Sequence, residues 1–243
     1  MARPRKKHVQ QSFEYRTRGG KRKGAGRPPK GERSSEPHKE RAEIDPRHPL
    51  HITTRVVEGL GSLRKRDIFR AVRAATIVVF ERSGFHLVEA SIQYNHLHLL
   101  VEAADKDALS AGMKSFLISV AKRVNAVFLG RTGKRRKGSV FADRYHANPL
   151  TTPRQVRNTI AYVLNNFRRH GEDRAPFAIN WKVDPYSTGV YFGGWAELAD
   201  KPTLFTPPRH YSGLLTWLPK TWLLRLGWMK SAPISVWTVP ARP

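Results

Sequence analysis

Four side chains in this sequence have the types and spacing to do chemistry together. His96 and His98 flank Leu97 in the stretch Asn95-His96-Leu97-His98-Leu99-Leu100-Val101, which reads as a β-strand. Alternate residues of a strand share a face, so both imidazoles point the same way while Leu97 points into the opposite layer. Such a pair suits two ligands of one metal ion; it equally suits two surface or hydrogen-bonded histidines. Tyr162 and Asn166 stand four residues apart in a later segment that reads as helix, one turn above the other, so they can serve one site. The alternative there is an exposed tyrosine beside a solvated amide.

The elements that must position these residues are written in the hydropathy pattern. His51-Ile-Thr-Thr-Arg-Val56 alternates and is β-branched, the mark of a strand. Residues from about Asp67 to Phe80 read as a helix, and Leu87 to Ile92 and Leu97 to Val101 as a hairpin around Tyr94-Asn95. Leu109, Met113, Phe116, Leu117, Val120, Val124 and Val127 form the apolar stripe of a second helix. A basic loop from Gly130 to Gly138 follows, then a strand over Val140 to Ala147.

Thr152-Pro153-Arg154-Gln155 opens a third helix, with Thr152 as N-cap, Pro153 in the first turn and Gln155 completing a capping box. Arg168, Arg169 and His170 before Gly171 suit its end. On its wheel Val156, Ile160, Val163, Leu164 and Phe167 mark the core face, which places Tyr162 and Asn166 off it. The order is that of an α+β fold, a ferredoxin-like βαββαβ antiparallel sheet with an additional C-terminal helix.

These segments together resemble the single-tyrosine transposases of the HUH endonuclease superfamily, in particular the REP-associated tyrosine transposases and the insertion-sequence single-strand transposases. The group is named for its His-hydrophobic-His strand, here His96-Leu97-His98. Its tyrosine lies on a later helix followed by an amide pair, and Ile160-Ala-Tyr-Val-Leu-Asn-Asn166 is similar to that segment; Gly138-Ser-Val-Phe-Ala-Asp-Arg-Tyr145 is similar to the strand before it. The resemblance runs from His51 to Gly171. The family often has Asn-Pro-Val where this chain has Asn166-Phe167-Arg168, and the aromatic C-terminal segment is outside the common core.

The resemblance implies that His96, His98 and Asn166 bind a divalent cation, Mg²⁺ or Mn²⁺, and that Tyr162 is a catalytic nucleophile. It implies cleavage and rejoining of single-stranded, hairpin-associated DNA through a 5′-phosphotyrosine with release of a 3′-hydroxyl. Resealing by an incoming 3′-hydroxyl keeps the bond energy and requires no ATP. A cation on these ligands polarises the scissile phosphate and offsets charge developing in the transition state. Arginine and lysine contacts to phosphate, with aromatic stacking on unpaired bases, supply binding. Lys134, Arg135, Arg136, Arg144 and Arg154 are the candidate nucleic-acid-binding residues nearest these motifs, although any one of them alone reads as a solvated charge.

Composition agrees with a polyanion partner. Lysine and arginine number 44 against 19 acidic residues, a formal net charge of +25. The absence of cysteine excludes thiolate zinc sites and disulfides. The apolar runs are too short to span a bilayer, so no membrane partner is expected, and the reading is a soluble, cytoplasmic, nucleoid-associated bacterial protein. Residues 1–47 read as a disordered basic arm, 48–171 as the catalytic domain and 172–243 as an aromatic-rich extension: a lid, a DNA-stacking surface or a cap over exposed sheet. Gly26-Arg27-Pro28-Pro29-Lys30 resembles half of an AT-hook but lacks the preceding Arg-Gly pair.

Two rival readings differ in chemistry. His51-Ile52-Thr53 is similar to one half of the paired His-x-Thr motifs of metal-free two-histidine RNA phosphoesterases, but the second half is absent. The other rival is a domesticated, non-catalytic DNA- or RNA-hairpin-binding protein on the same fold, which would need none of the four residues together. A homodimer, with the tyrosine acting in its own subunit or across the interface, is compatible with the sequence.

Overall fold

The computed structural model describes residues 42–241. The half AT-hook and most of the basic arm expected over 1–47 lie outside them. The elements run β1 (Leu50–Arg55), α1 (Arg66–Phe80), β2 (Phe85–Ile92), β3 (His96–Ala103), α2 (Lys106–Thr132), β4 (His146–Pro149) and α3 (Pro153–Arg169), then short helical turns in the C-terminal segment. The strands form one sheet in the order β2-β3-β1-β4 with every neighbour antiparallel. This is the ferredoxin-like arrangement expected from the sequence, with α3 added after the last strand.

Alternation along β3 divides the molecule. Leu97, Leu99 and Val101 point into a core shared with Ile68, Phe69, Val72, Met113, Phe116 and Val120 of α1 and α2. Leu100 points the other way, into a second core with Val156, Ile160, Val163 and Leu164 of α3. The packing of α2 on the sheet depends on Gly112, where a Cβ would stand 2.2 Å from the Phe85 ring. No side chain fits there without displacing a fully buried aromatic.

Helix ends follow local chemistry. Asp105 caps α2 through the Ala108 amide at 2.7 Å. The helix continues through Gly130 to Thr132, three residues into the segment expected as loop, and ends where Gly133 takes a left-handed φ of 66°. α3 carries the expected capping box: Thr152 Oγ1 accepts from the Gln155 amide, and Gln155 Oε1 accepts from the Thr152 amide.

The strand expected over Val140 to Ala147 is shorter and later, covering only His146–Pro149. Before it, the chain touches the end of β1 through a lone Val56–Phe141 bridge and the Ala142 amide on the Arg55 carbonyl. The Asp143 side chain then accepts from the Arg144 amide at 2.8 Å, a local turn that competes with a continuous ladder.

Residues 172–241 close the open surfaces of the sheet and of α3. Strand β2 is an edge, and its free backbone groups are used by this segment: Trp217 N–H donates to the Leu87 carbonyl, Ile92 N–H to the Tyr186 carbonyl and Ala90 N–H to Thr188 Oγ1. Trp195, Trp228, Ile234 and Val236 complete the second core against α3. Of the roles expected for this extension, a cap over exposed sheet is the one these contacts display.

Arg64 anchors the same segment. Its guanidinium forms two 2.8 Å bonds to the fully buried Asp184 carboxylate, and Nη1 also donates to the Ile92 carbonyl. Such a pair is costly to desolvate and more costly to break.

Candidate active site

The site grows from the face of the sheet that meets α3. In the β1–β3 register Thr53 lies opposite His98 and Arg55 opposite His96. Leu50 and Ile52 point into the α1–α2 core, so His51 and Thr53 share the opposite face with His96 and His98. His98 Nδ1 lies 3.1 Å from His51 Nε2 and 3.2 Å from Thr53 Oγ1. His96 Nδ1 lies 2.8 Å from Asn95 Oδ1, to which it donates. With Nδ1 hydrogen-bonded in each ring, Nε2 is left to offer its lone pair, the usual arrangement for an imidazole that binds a metal. His98 Nε2 is buried and has no hydrogen-bond partner.

Tyr162 of α3 packs edge-on to both His98 and His51, with ring centroids 5.1 Å and 5.8 Å away. The Arg169 guanidinium lies 5.9 Å from the Tyr162 ring. Asn166, one turn on, is fully buried, and neither Oδ1 nor Nδ2 has a partner. His170, the residue that ends α3, sets its ring edge-on to His96 at 5.2 Å.

The wheel placed Tyr162 and Asn166 off the core face, but the structure buries Asn166 fully and Tyr162 in part. The polar side of α3 is itself covered. Asn165 Nδ2 donates to the Ser235 carbonyl, Arg157 to the Ala232 and Pro233 carbonyls, and Arg168 to the Val236, Trp181 and Lys182 carbonyls.

Burial and neighbouring positive groups keep these imidazoles neutral. Desolvation, helped by His146, lowers His51 to about 4. Desolvation, with His170 and Arg55, lowers His96 to about 4. Desolvation lowers His98 to about 2, and His96, His51, His170 and Arg169 add to the effect. Neutral rings with Arg55 and Arg169 beside them can bind a cation and still accept a phosphate.

Among the described residues no three histidine, aspartate or glutamate side chains converge as a metal group. Two imidazoles with free Nε2 atoms and one amide oxygen remain, a nitrogen and oxygen donor set that suits a borderline or hard divalent ion. His98 Nε2 and Asn166 Oδ1, buried and unpartnered, are the atoms such an ion would satisfy.

The five candidate DNA-binding residues are spread over three segments of the chain. Lys134 and Arg135 are exposed in the loop after α2, and Arg136 turns back to donate to the Gly138 and Ser139 carbonyls. Arg144 is exposed before β4, and Arg154 is exposed in the first turn of α3, two turns before Tyr162. Residues that the motif reading left out of the site are His51, Thr53, Arg169 and His170. The alternation of His51-Ile52-Thr53 carried a signal for the first two, but their partner strand could not be read from it.

Residues 51–166 match the family of IS200-like transposases. No curated protein sequence matches the chain. Among solved structures, one of a REP-associated tyrosine transposase bound to a REP hairpin is 15% identical, with 75% of this chain and 95% of that one covered and a TM-score of 0.48. A second, described as a transposase from Deinococcus radiodurans, is 12% identical, with 58% and 98% covered and a TM-score of 0.36. The matched residues begin at His51 of β1 and end at Asn166 of α3, so they take in nearly all of the sheet together with His51, His96, His98, Tyr162 and Asn166, and this part of the chain is similar to the IS200-like transposase family.

Proposed function

We propose that the protein is a transposase that cuts and rejoins single-stranded DNA, with Tyr162 as nucleophile and His96, His98 and Asn166 as ligands of a divalent cation, Mg²⁺ or Mn²⁺. The observation that carries this reading is the pair of unsatisfied buried groups on facing elements, His98 Nε2 on β3 and the Asn166 amide on α3, with the Tyr162 ring against His98. A binding module has no use for a sealed amide without a partner, because each such group costs about 1–3 kcal/mol.

The chemistry assigns a task to each side chain. The Tyr162 oxygen attacks phosphorus, the phosphorus–O3′ bond breaks, the phenolic proton passes to solvent and the departing 3′-oxygen takes up a proton. The product is a 5′-phosphotyrosine and a free 3′-hydroxyl, and the reverse attack by a 3′-hydroxyl restores the phosphodiester. When bound, the cation polarises the phosphate and offsets the charge growing on its oxygens. His51 and Thr53 hold the His98 ring, and Asn95 holds that of His96. Arg169 and Arg55 are placed to attract the phosphate.

The test is incubation of the protein with end-labelled hairpin and unstructured oligonucleotides in Mn²⁺, followed by denaturing electrophoresis and peptide mapping. A covalent adduct mapped to Tyr162 supports the proposal. Tight binding with no adduct across the panel points instead to a non-catalytic hairpin-binding protein on this fold.

A further inference from the structure

On the other side of the sheet from His96 and His98, α1 and the C-terminal segment enclose a cavity of about 930 Å³. Its α1 wall carries Arg66, Arg70 and Arg73, spaced by four and three residues so that they form one stripe. Arg66 and Arg70 are one turn apart, about 6 Å along the axis, the scale of neighbouring phosphates on one strand. Arg209 adds a charge from the opposite wall. No carboxylate lines the cavity, and Arg66, Arg70 and Arg209 have no acidic partner among the described residues.

Below these charges the cavity is aromatic. Phe69 is fixed in the α1–α2 core and meets Tyr186 edge-on at 5.1 Å and Tyr211 face-parallel at 6.4 Å. Phe205, half-buried, packs edge-on to Tyr211 at 4.9 Å. The Arg64–Asp184 pair holds the chain that forms this wall, because Asp184 lies between the lining residues Val183 and Pro185. Flat apolar faces beneath uncompensated guanidinium groups match a ligand that is a planar ring at one end and an anion at the other.

We propose that this cavity takes an unpaired nucleotide of the DNA strand, its base against Phe205 and Tyr211 and its flanking phosphates on Arg66, Arg70 and Arg209. The inference rests on the reading that the protein acts on single-stranded DNA, and it adds a second contact on the face of the sheet away from Tyr162. A paired base cannot enter, so the cavity discriminates single strand from duplex without reading sequence.

The experiment measures the affinity of the full chain for fluorescent oligothymidylate, for an abasic deoxyribose-phosphate strand of equal length and for a duplex. Phe205→Leu keeps apolar volume and removes the flat face, and Arg66→Ala with Arg70→Ala removes exposed charge. Phe205→Leu is expected to weaken oligothymidylate binding roughly tenfold and to leave abasic strand and duplex unchanged. The double arginine variant is expected to weaken both single strands. Photocrosslinking of 5-iodo-deoxyuridine strands is expected to map to Phe205 or Tyr211, and excess thymidine monophosphate should not displace the strand.

Unchanged oligothymidylate affinity in both variants overturns the proposal. So does an equal loss on all three nucleic acids, which identifies a merely attractive surface, and so does displacement by the free nucleotide, which identifies a mononucleotide site. Failure here is separable from failure of the transposase reading. A Tyr162 adduct with unaltered binding by Phe205→Leu rejects the cavity alone, and base-dependent binding loss without any adduct rejects the chemistry alone.

Discussion

His51 Nε2 stands 3.1 Å from His98 Nδ1, with the two rings stacked 5.2 Å apart, although the residues are 47 positions apart in the chain. This contact orients the ring whose other nitrogen is buried and unpartnered. His51 is therefore a positioning residue for His98. His51→Ala should weaken divalent-ion binding roughly 10- to 100-fold, the usual effect of removing the partner that orients a ligand. Titration calorimetry with Mn²⁺ measures it, and affinity equal to wild type would remove His51 from that role.

Direct loss of ligands should be more severe and graded by chemistry. His96→Ala and His98→Ala should abolish cleavage and remove measurable Mn²⁺ binding, whereas Asn166→Ala should retain weak binding because an amide is the poorest donor of the three. Chelator should reproduce the loss of cleavage in the wild type. Full cleavage by the double histidine variant in chelator excludes the cation reading.

Tyr162→Phe removes one oxygen and keeps the ring that packs on His98 and His51. DNA affinity should stay within about twofold, while the covalent adduct disappears. Denaturing electrophoresis with label on either side of the cut provides the readout. Adduct formation by the variant at the wild-type rate would assign the nucleophile elsewhere.

The cation-free protein should lose stability in mild acid. His51 and His96 titrate near 4 in the fold, while an unfolded histidine titrates near about 6.5. Below the unfolded value the unfolded chain binds protons that the fold refuses, so the stability present above it is lost as pH falls through the folded values. Urea midpoints in chelator should therefore drop between pH 7.5 and pH 5, and His51→Gln should reduce the drop. A midpoint that holds or rises over that interval contradicts the burial of neutral histidines.

Asp184 accepts both guanidinium bonds from Arg64 and is fully buried. Asp184→Asn should destabilise the protein by about 3–5 kcal/mol, the range for a buried pair broken on one side. Adding Arg64→Met should recover part of that loss, because the stranded charge is then gone. Urea denaturation of the two variants checks both directions.

What the sequence determined by itself was everything that depends on neighbours within about one turn or one strand. The alternation of His51-Ile52-Thr53 and of His96-Leu97-His98, the stripe of α2, and the Thr152–Gln155 capping box all reappear in the fold, as does the four-residue spacing of Tyr162 and Asn166. Side-chain direction in strands and helices is fixed by backbone period, so these signals need no tertiary knowledge. Local reading gave the wrong extent at the end of α2, which runs on through Gly130 to Thr132, and over Val140 to Ala147, where a turn at Asp143 competes with the ladder.

Only the tertiary structure decided which faces meet. The antiparallel register of β1 on β3 brought His51 and Thr53 to His98, and no pattern inside either strand specifies that register. The same holds for the polar side of α3. Arg157, Asn165 and Arg168 are polar by sequence, yet each bonds to carbonyls among residues 232–236, and Asn165 is fully buried. A polar helix face is legible in a sequence, but whether water or another segment's backbone satisfies it depends on where a distant part of the chain folds back.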